Sequence, residues 1–379
     1  MQFFFWIFLL LLLATISYQV VALINGFLFF SRDNLPSDHF PPISLLKPVR
    51  GVEDTTYQCF ASFCNQDYPD YEIIFAVQDA NDPVVELITK LQHSYSNCKI
   101  KLVVNSSLIG ANAKVSNLYN ALPHAKHNII LISDSDIKVN KDYLRYLVKP
   151  FSDKKTGVVT TLYRAVGNRH LTTILEAIGI STDFLVGVVV ARGLGNVDFA
   201  LGATMAIKKE VLNKIGGFSS FADYLGDDYM LGNLTAKAGY QVEILNYVVE
   251  TVMPDYDFTS FFRHQVRWAR NIRYSRPGGY LGLIFTQTTA ISLLSAIFFY
   301  TSNTILILSL IALLIRLLVA WVVGIYGLKD LITQKYFFLT PIRDIVGFVV
   351  WLISFFGNSI EWRGSKFRVI QGGKLIKTD

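Results

Sequence analysis

Apolar positions along this chain fall into three textures, and each predicts different elements. From Phe3 to Phe30 the residues are almost wholly apolar, and no charge occurs before Arg32. A bilayer core takes about 20 apolar residues of helix, so this run is long enough to span one. A polar linker with Pro36, Pro41 and Pro42 follows. Short apolar runs then alternate with helical patterns. Strands are predicted at 43–46, 73–77, 100–104, 129–132 and 157–162, and helices at 55–64, 83–95, 113–122 and 141–149. Such alternation predicts a largely parallel sheet with helices on both faces.

The third texture begins with Thr172 to Val190, an apolar stretch interrupted by Glu176 and Asp183. It reads as an interfacial, acceptor-facing segment, with a buried helix followed by a strand as the alternative. Tyr280 to Ile315 carries no charge and is broken at Thr301-Ser302-Asn303-Thr304, which predicts two helices of spanning length. Arg316 lies inside the second of these with no acidic partner evident nearby, and it reads as a structural charge more readily than a functional one. Lys329, Lys335 and Arg343 mark a basic loop before a shorter apolar tract, 345–360. The predicted division is therefore a membrane anchor at 1–31, an α/β domain at 32–279, membrane helices at 280–360 and a basic tail at 361–379.

Composition supports that division. Of 379 residues, 52% are hydrophobic and only 17% charged, and the apolar excess is concentrated at the two ends of the chain. A cleaved signal peptide would show a basic start and a shorter apolar run, whereas here only Met1-Gln2 precede the long tract. The net charge of +6 comes partly from Arg363, Lys366, Arg368, Lys374 and Lys377 near the last apolar tract. That placement suits anionic lipid headgroups and argues against nucleic acid. Cys59, Cys64 and Cys98 form neither metal-ligand spacing nor a disulfide framework, which fits a reducing compartment. Basic residues after the anchor (Lys47, Arg50) and before the last tract both predict a cytoplasmic side. Three full spans would then leave the tail outside, and a re-entrant last tract would keep it inside.

Polar chemistry gathers at the ends of the strands. Asp79 closes one strand and Asp134-Ser135-Asp136 another, the edge at which open α/β sheets bind ligands. Two carboxylates one residue apart suit a hard divalent cation, Mg²⁺ or Mn²⁺, that also holds diphosphate oxygens. Asp79 suits a nucleoside, or else a cap for the next helix, a job open to Asn81 and Asp82 as well. Asp227-Asp228 opens a helix, where either residue would cap it or serve as general base toward an acceptor hydroxyl. His264-Gln265-Val266-Arg267-Trp268 precedes the uncharged tract. Arg267 offers a fork of donors to phosphate and Trp268 a face for a sugar ring, while Arg263, Arg267, Arg270 and Arg273 also describe a basic interfacial helix.

Between about Pro42 and Trp268 the chain resembles the ceramide glucosyltransferase family, with its bacterial lipid- and hopanoid-associated members. The segments that carry the resemblance are Ser44-Leu45-Leu46-Lys47-Pro48 with Gly51-Val52, Asp67-Tyr68-Pro69-Asp70-Tyr71-Glu72, Val77-Gln78-Asp79-Ala80-Asn81-Asp82-Pro83 and Asn112-Ala113-Lys114-Val115-Ser116-Asn117-Leu118. The resemblance implies a GT-A fold, Rossmann-like with a mostly parallel sheet, and inverting transfer from a UDP-sugar to a lipid hydroxyl. It implies donor contacts from Lys47, Asp79, Lys114, Asp134 and Asp227, a metal at Asp134 and Asp136, and catalysis by Asp228, Arg267 and Trp268. A lipid acceptor would enter from the membrane side, so the segment 172–190 and the helix leading into the spans make Asp183, Phe184 and His264 the expected acceptor region. His264 departs from the Gln or Arg usual in the family's closing motif, and Asp136 completes an Asp-x-Asp that animal members lack. Alternatives are a processive polysaccharide synthase, a polyisoprenyl-phosphate glycosyltransferase and a non-enzymatic transporter or scaffold.

Overall fold

The computed structural model describes residues 2–378 except Asp33, Asn168, Arg169, Asn196, Asp255, Tyr256 and Arg363, so Met1 and the tail's Arg363 lie outside the described residues. Four parallel strands start the domain: β1 (Ile43–Pro48), β2 (Tyr71–Val77), β3 (Lys99–Val104) and β4 (Ile129–Ile132). β1, β2 and β4 are buried almost throughout, as expected for strands covered on both faces. Four further strands extend the sheet: β5 (Ile137–Lys138), β6 (Thr156–Gly167), β7 (Met205–Lys208) and β8 (Gln241–Met253). The order is β3-β2-β1-β4-β7-β6-β8-β5. β7 runs antiparallel to β4 and β6, β6 and β8 are parallel, and β5 closes the edge antiparallel.

The sequence pattern foresaw β1 to β4 within a residue or two and half of β6, but not β5, β7 or β8. β8 was readable: Val242, Ile244, Val249, Thr251 and Met253 are its buried positions, but a slip at the bulge near Leu162 breaks the strict alternation that marks a strand. Two apolar clusters fill the space on the two faces of the sheet, one around Phe60, Phe63, Phe75 and Tyr143, the other around Leu118, Phe218 and Phe221.

The segment expected to be interfacial is a continuous helical run, Leu171–Gly193, with one wide turn at Ile180–Phe184 and no strand. It is mostly buried, and its polar residues Thr172, Thr173, Glu176, Ser181 and Thr182 are inside. The helix packs against the N-terminal helix Gln2–Phe30 and against Thr340–Ser354. Gly179 lets it approach Arg343 so closely that an added Cβ would overlap the guanidinium. Among the described residues four helices are long and apolar enough to cross a membrane: Gln2–Phe30, Leu171–Gly193, Asn303–Gly327 and Phe337–Ser354. Pro277–Thr286 and Thr288–Phe298 add a pair bent by 57°. Large apolar residues left on the outside, such as Phe4, Trp6, Phe298, Leu310, Leu314 and Phe356, lie on or beside these helices, as a lipid-facing band requires.

Two expectations change at the C-terminal end. The last apolar helix begins at Thr340, so Arg343 and Asp344 lie within it. Asp344 is the acidic partner that Arg316 lacked in the sequence, at 2.6 Å. The expected basic tail is a three-stranded antiparallel sheet, β9 (Ser359–Trp362), β10 (Ser365–Ile370) and β11 (Lys374–Thr378). Alternation explains it: Phe367, Val369 and Leu375 face inward, while Lys366, Arg368 and Lys374 face water. Lys and Arg were read as charge alone, and the period-2 apolar positions between them were missed.

Candidate active site

Two chain segments bring acids to one place beside Gly202 of a third. Asp134 follows the end of β4. Asp227 and Asp228 open the helix Asp227–Lys237, and Gly226 rather than either Asp is its cap residue. Gly202 lies in the tight turn before β7, between the bridge-paired Leu201 and Thr204. A Cβ there would meet Asp134 Oδ2 at 3.1 Å, Asp228 Oδ2 at 3.4 Å and Lys114 Nζ at 3.8 Å. A methyl there would be tight, and the two carboxylates would have to give by a few tenths of an ångström. The Gly202 N–H is donated to Asp228 Oδ2 at 3.1 Å.

Lys114 stands in the first turn of Ala113–Ala121, whose cap Asn112 accepts the Lys114 and Val115 N–H groups. Its buried ammonium contacts Asp134 Oδ1 at 2.8 Å and Asp227 Oδ2 at 2.9 Å. Burial opposes its charge, but the two carboxylates outweigh burial and hold it above the ordinary lysine range. Lys47 sits beneath the site: it is fully buried on β1, lies 3.9 Å from the Phe63 ring centre and donates to the Asp134 carbonyl at 2.7 Å. Burial pushes it down to about 8. Asp136 accepts the Thr251 hydroxyl from β8 at 2.9 Å. Burial, and then the charge of Asp134, push its carboxyl up to about 6. Burial and then Asp227 raise Asp228 to about 6 as well.

Asp79 is exposed and accepts the Asn81 N–H at 2.9 Å. The next helix has Pro83 as its cap residue, and Asp82 accepts its first N–H, from Val84, so Asp79 does not serve that helix.

Among the described residues, no three His, Cys, Asp or Glu side chains converge as a metal cluster. The chemistry of the donor set nevertheless suits a hard cation bound with a substrate. Mg²⁺ keeps one or two carboxylates plus water and phosphate oxygens, and Asp134 with Asp136 offers such a pair. Burial and, after it, the charge of Asp134 raise Asp136, and a cation would offset both by favouring the ionised pair.

Arg267, Trp268 and His264 share the helix Phe258–Ser275, and Arg267 and Trp268 are half-buried on it. Asn271 of this helix passes so near Gly226 that a Cβ there would lie 2.9 Å from its Nδ2. Arg276 binds Asp198 at 2.9 Å, and Asp198 accepts from Asn233 of the Asp227–Lys237 helix. The helix is thereby tied to the segment that carries Asp228. Trp268 lies against His264 and Phe184, with ring centres 4.9 and 6.1 Å apart, and Phe184 lies against Tyr163 at 6.2 Å. These aromatic rings link the carboxylates to the apolar helices. Asp183 takes a different direction and faces Arg343 and Arg316.

The C-terminal sheet grips the same segments. Leu375 N–H bonds the Asp223 carbonyl at 2.7 Å, and Leu225 N–H bonds the Gly373 carbonyl at 3.1 Å. Asn112 in turn donates to the Tyr224 carbonyl at 2.8 Å. Arg270 and Arg273 donate to carbonyls of Phe356, Gly357 and Ser359.

Three site residues were not singled out for chemistry in the sequence. Gly202 carried no signal. Tyr163, on β6, is raised by burial and then by the charges of Asp228, Glu176, Asp134 and Asp136. Glu176 had a signal, a lone acid in an apolar helix, but not its partner: His264 Nδ1 is 2.7 Å from its Oε1.

Residues 6–375 match the model of Glycosyl transferase family 21. The chain belongs to that family. It is 24% identical over 347 residues to ceramide glucosyltransferase 3 of Caenorhabditis elegans, which covers 89% of this chain and 74% of that protein. Ceramide glucosyltransferase 1 of the same animal is 24% identical over 349 residues, 90% of this chain and 74% of that protein. Ceramide glucosyltransferase of Komagataella phaffii is 32% identical over 146 residues, 35% of this chain and 28% of that protein. The fold is shared with a mannosyltransferase from Pyrobaculum calidifontis solved with GDP-Man and Mn²⁺, at a TM-score of 0.56 and 16% identity, over 93% of this chain and 99% of that one. The family member described here is accordingly a glycosyltransferase of GT-A-like fold with membrane-length helices.

Proposed function

We propose that this glycosyltransferase moves a hexose from a UDP-sugar to the hydroxyl of a membrane lipid of the ceramide or hopanoid-polyol kind, with inversion at the anomeric carbon, and that its catalytic domain lies on the cytoplasmic side. The observation that carries the reading is the meeting of Asp134, Asp228 and Lys114 around Gly202, joined through Tyr163, Phe184 and Trp268 to helices of membrane length. A lipid hydroxyl stays near the bilayer, since each CH₂ drawn into water costs about 0.8 kcal/mol. The acceptor therefore enters sideways, past Phe184 and His264.

Asp228 takes the proton of the acceptor hydroxyl as its oxygen bonds to the anomeric carbon and the bond from that carbon to the diphosphate breaks. Attack from the face opposite the leaving group inverts the centre. A carboxylate raised to about 6 is a stronger base than an ordinary Asp and is still mostly ionised at neutral pH. Lys114 holds Asp134 and Asp227 in place, Arg267 meets the diphosphate, and Trp268 stacks on the sugar. Asp79 and Lys47 support the nucleotide end, Lys47 by fixing the main chain under Asp134. Asp134 and Asp136 would hold Mg²⁺ or Mn²⁺, which supplies positive charge to the departing diphosphate.

The test is a matrix of UDP-glucose, UDP-galactose, UDP-N-acetylglucosamine and GDP-mannose against ceramide, diacylglycerol, sterol and hopanoid acceptors, with the purified full chain. Products are read by mass spectrometry and the anomer by NMR. Transfer from a UDP-sugar to lipid with inversion, abolished by EDTA, is expected. Transfer only from GDP-mannose, a retained anomer or full turnover in EDTA would each overturn the corresponding part.

A further inference from the structure

The acceptor side contains a second polar station that the transfer step does not use. Glu176 lies in the apolar helix Leu171–Gly193, and its side chain is wholly shielded from water. Oε1 lies 2.7 Å from His264 Nδ1. Among the described residues neither oxygen has a hydrogen-bond partner of good geometry, Oε1 included despite its contact with His264. An ionisable group in such a helix is costly, and it persists where it is used. A carboxylate only accepts hydrogen bonds, so what Oε2 lacks is a donor.

Its surroundings are those of the acceptor path. His264 stacks against Trp268, Trp268 against Phe184, and Phe184 against Tyr163. Tyr163 lies within the field of both Glu176 and Asp228. The pair is thus joined to Tyr163 by a run of rings on the side of the membrane-length helices, and His264 remains partly accessible at 14%.

We infer that Glu176, together with His264, is the specificity station for the acceptor headgroup, taking a second hydrogen-bond donor beside the hydroxyl that reacts. The preferred acceptor class is therefore a lipid with an additional hydroxyl or amide N–H, over one that carries a single hydroxyl. This rests on the lipid-acceptor reading and narrows it.

The experiment compares ceramide, which has an amide N–H and a second hydroxyl, with 1,2-dioleoylglycerol, which has one hydroxyl. Native mass spectrometry of the full chain released from mixed micelles reads which lipid is retained, and kcat/KM with UDP-glucose reads transfer. The wild type should favour ceramide by about tenfold in both, as loss of a hydrogen bond to a charged group implies. Glu176→Gln should lose most of that preference, chiefly through KM, and Glu176→Asp should keep part of it. Equal retention of both lipids by the wild type overturns the inference. So does a Glu176→Gln variant that weakens for both lipids alike, since Glu176 would then only prop His264. A wild type that retains ceramide selectively but transfers no sugar to it leaves the station standing and removes the proposed transfer instead.

Discussion

Two buried clusters of charge lie in this molecule, and they are built on opposite principles. At the carboxylate site the ammonium of Lys114 meets Asp134 and Asp227, while Asp136 and Asp228 have no ammonium in contact among the described residues and Lys47 is bound to the main chain at Asp134. Acid is in excess, and both Asp136 and Asp228 are pushed up to about 6. Among the apolar helices, Arg316 binds Asp344 at 2.6 Å, Asp344 accepts the Thr289 hydroxyl at 2.5 Å, and Arg343 binds Gln265 at 2.8 Å and faces Asp183. There the two arginines meet two aspartates. Asp330, also buried, receives Ser181, Thr333 and two backbone N–H groups. Without water, an unmatched charge is expensive, so a cluster that only holds helices together closes on itself. At the carboxylate site the excess of acid suits a cation, which the proposed metal and diphosphate donor would bring.

The contrast is broken most directly at Asp228. Asp228→Asn keeps the side chain's shape and one of its two backbone hydrogen bonds, from Gly202 or Tyr229, but cannot take a proton. Turnover should fall by about 10²–10⁴-fold, while UDP binding, followed by calorimetry, persists. Near-normal turnover would remove the base assignment.

In the helix cluster the same kind of change should act on stability instead. Arg316→Met leaves Asp344 buried without its cation, a loss of about 3–5 kcal/mol for a pair of this kind. Arg316→Met with Asp344→Leu removes both charges and should recover most of that loss. Denaturant titration of the detergent-solubilised chain reads both variants. If the double variant is no more stable than the single one, the pair has a role beyond matching charge.

A smaller effect separates the clusters by pH. A general base works deprotonated, so with Asp228 in the proposed role kcat/KM should fall as pH drops through about 6, by about tenfold per unit below it. Stability moves the other way. A carboxyl raised from 3.8 to about 6 binds protons more tightly in the folded state. Stability due to Asp228 and Asp136 is therefore full below the ordinary carboxyl range and is lost as pH rises through about 6. Initial rates and urea midpoints between pH 4.5 and 8 test both signs. A rate that stays flat down to pH 4.5 would mean that neither raised carboxyl limits turnover.

The mildest probe is Gly202→Ala. The new methyl would press on Asp134 Oδ2 and Asp228 Oδ2, both able to rotate slightly. A several-fold rise in the donor KM with an unchanged melting temperature is expected. An unchanged KM would put the donor away from this turn.

Periodicity and strand-end chemistry made the first half of the domain legible. β1 to β4, the strand ends at Asp79 and Asp134, and the helices at Lys114 and Asp227 are local patterns, set by residues within a few positions of one another. The resemblance added roles for these residues because its motifs are themselves local. The second half was less legible. β7 is too short to show a period, and β8 is bulged. The polar side of Leu171–Gly193 faces inward, which no window of sequence reveals.

By itself, then, the sequence determined the apolar anchor, the parallel strands, the acids at their ends and the order of the motifs, because each follows from backbone geometry and neighbouring side chains. Tertiary structure decided which charges meet. Glu176 finds His264, Arg316 finds Asp344, and Lys114 finds both Asp134 and Asp227, all across long stretches of chain. Burial then decided what those charges do. The same carboxylate is an ordinary acid in water, a base near neutrality when crowded by other acids, and a structural tie when an arginine closes on it.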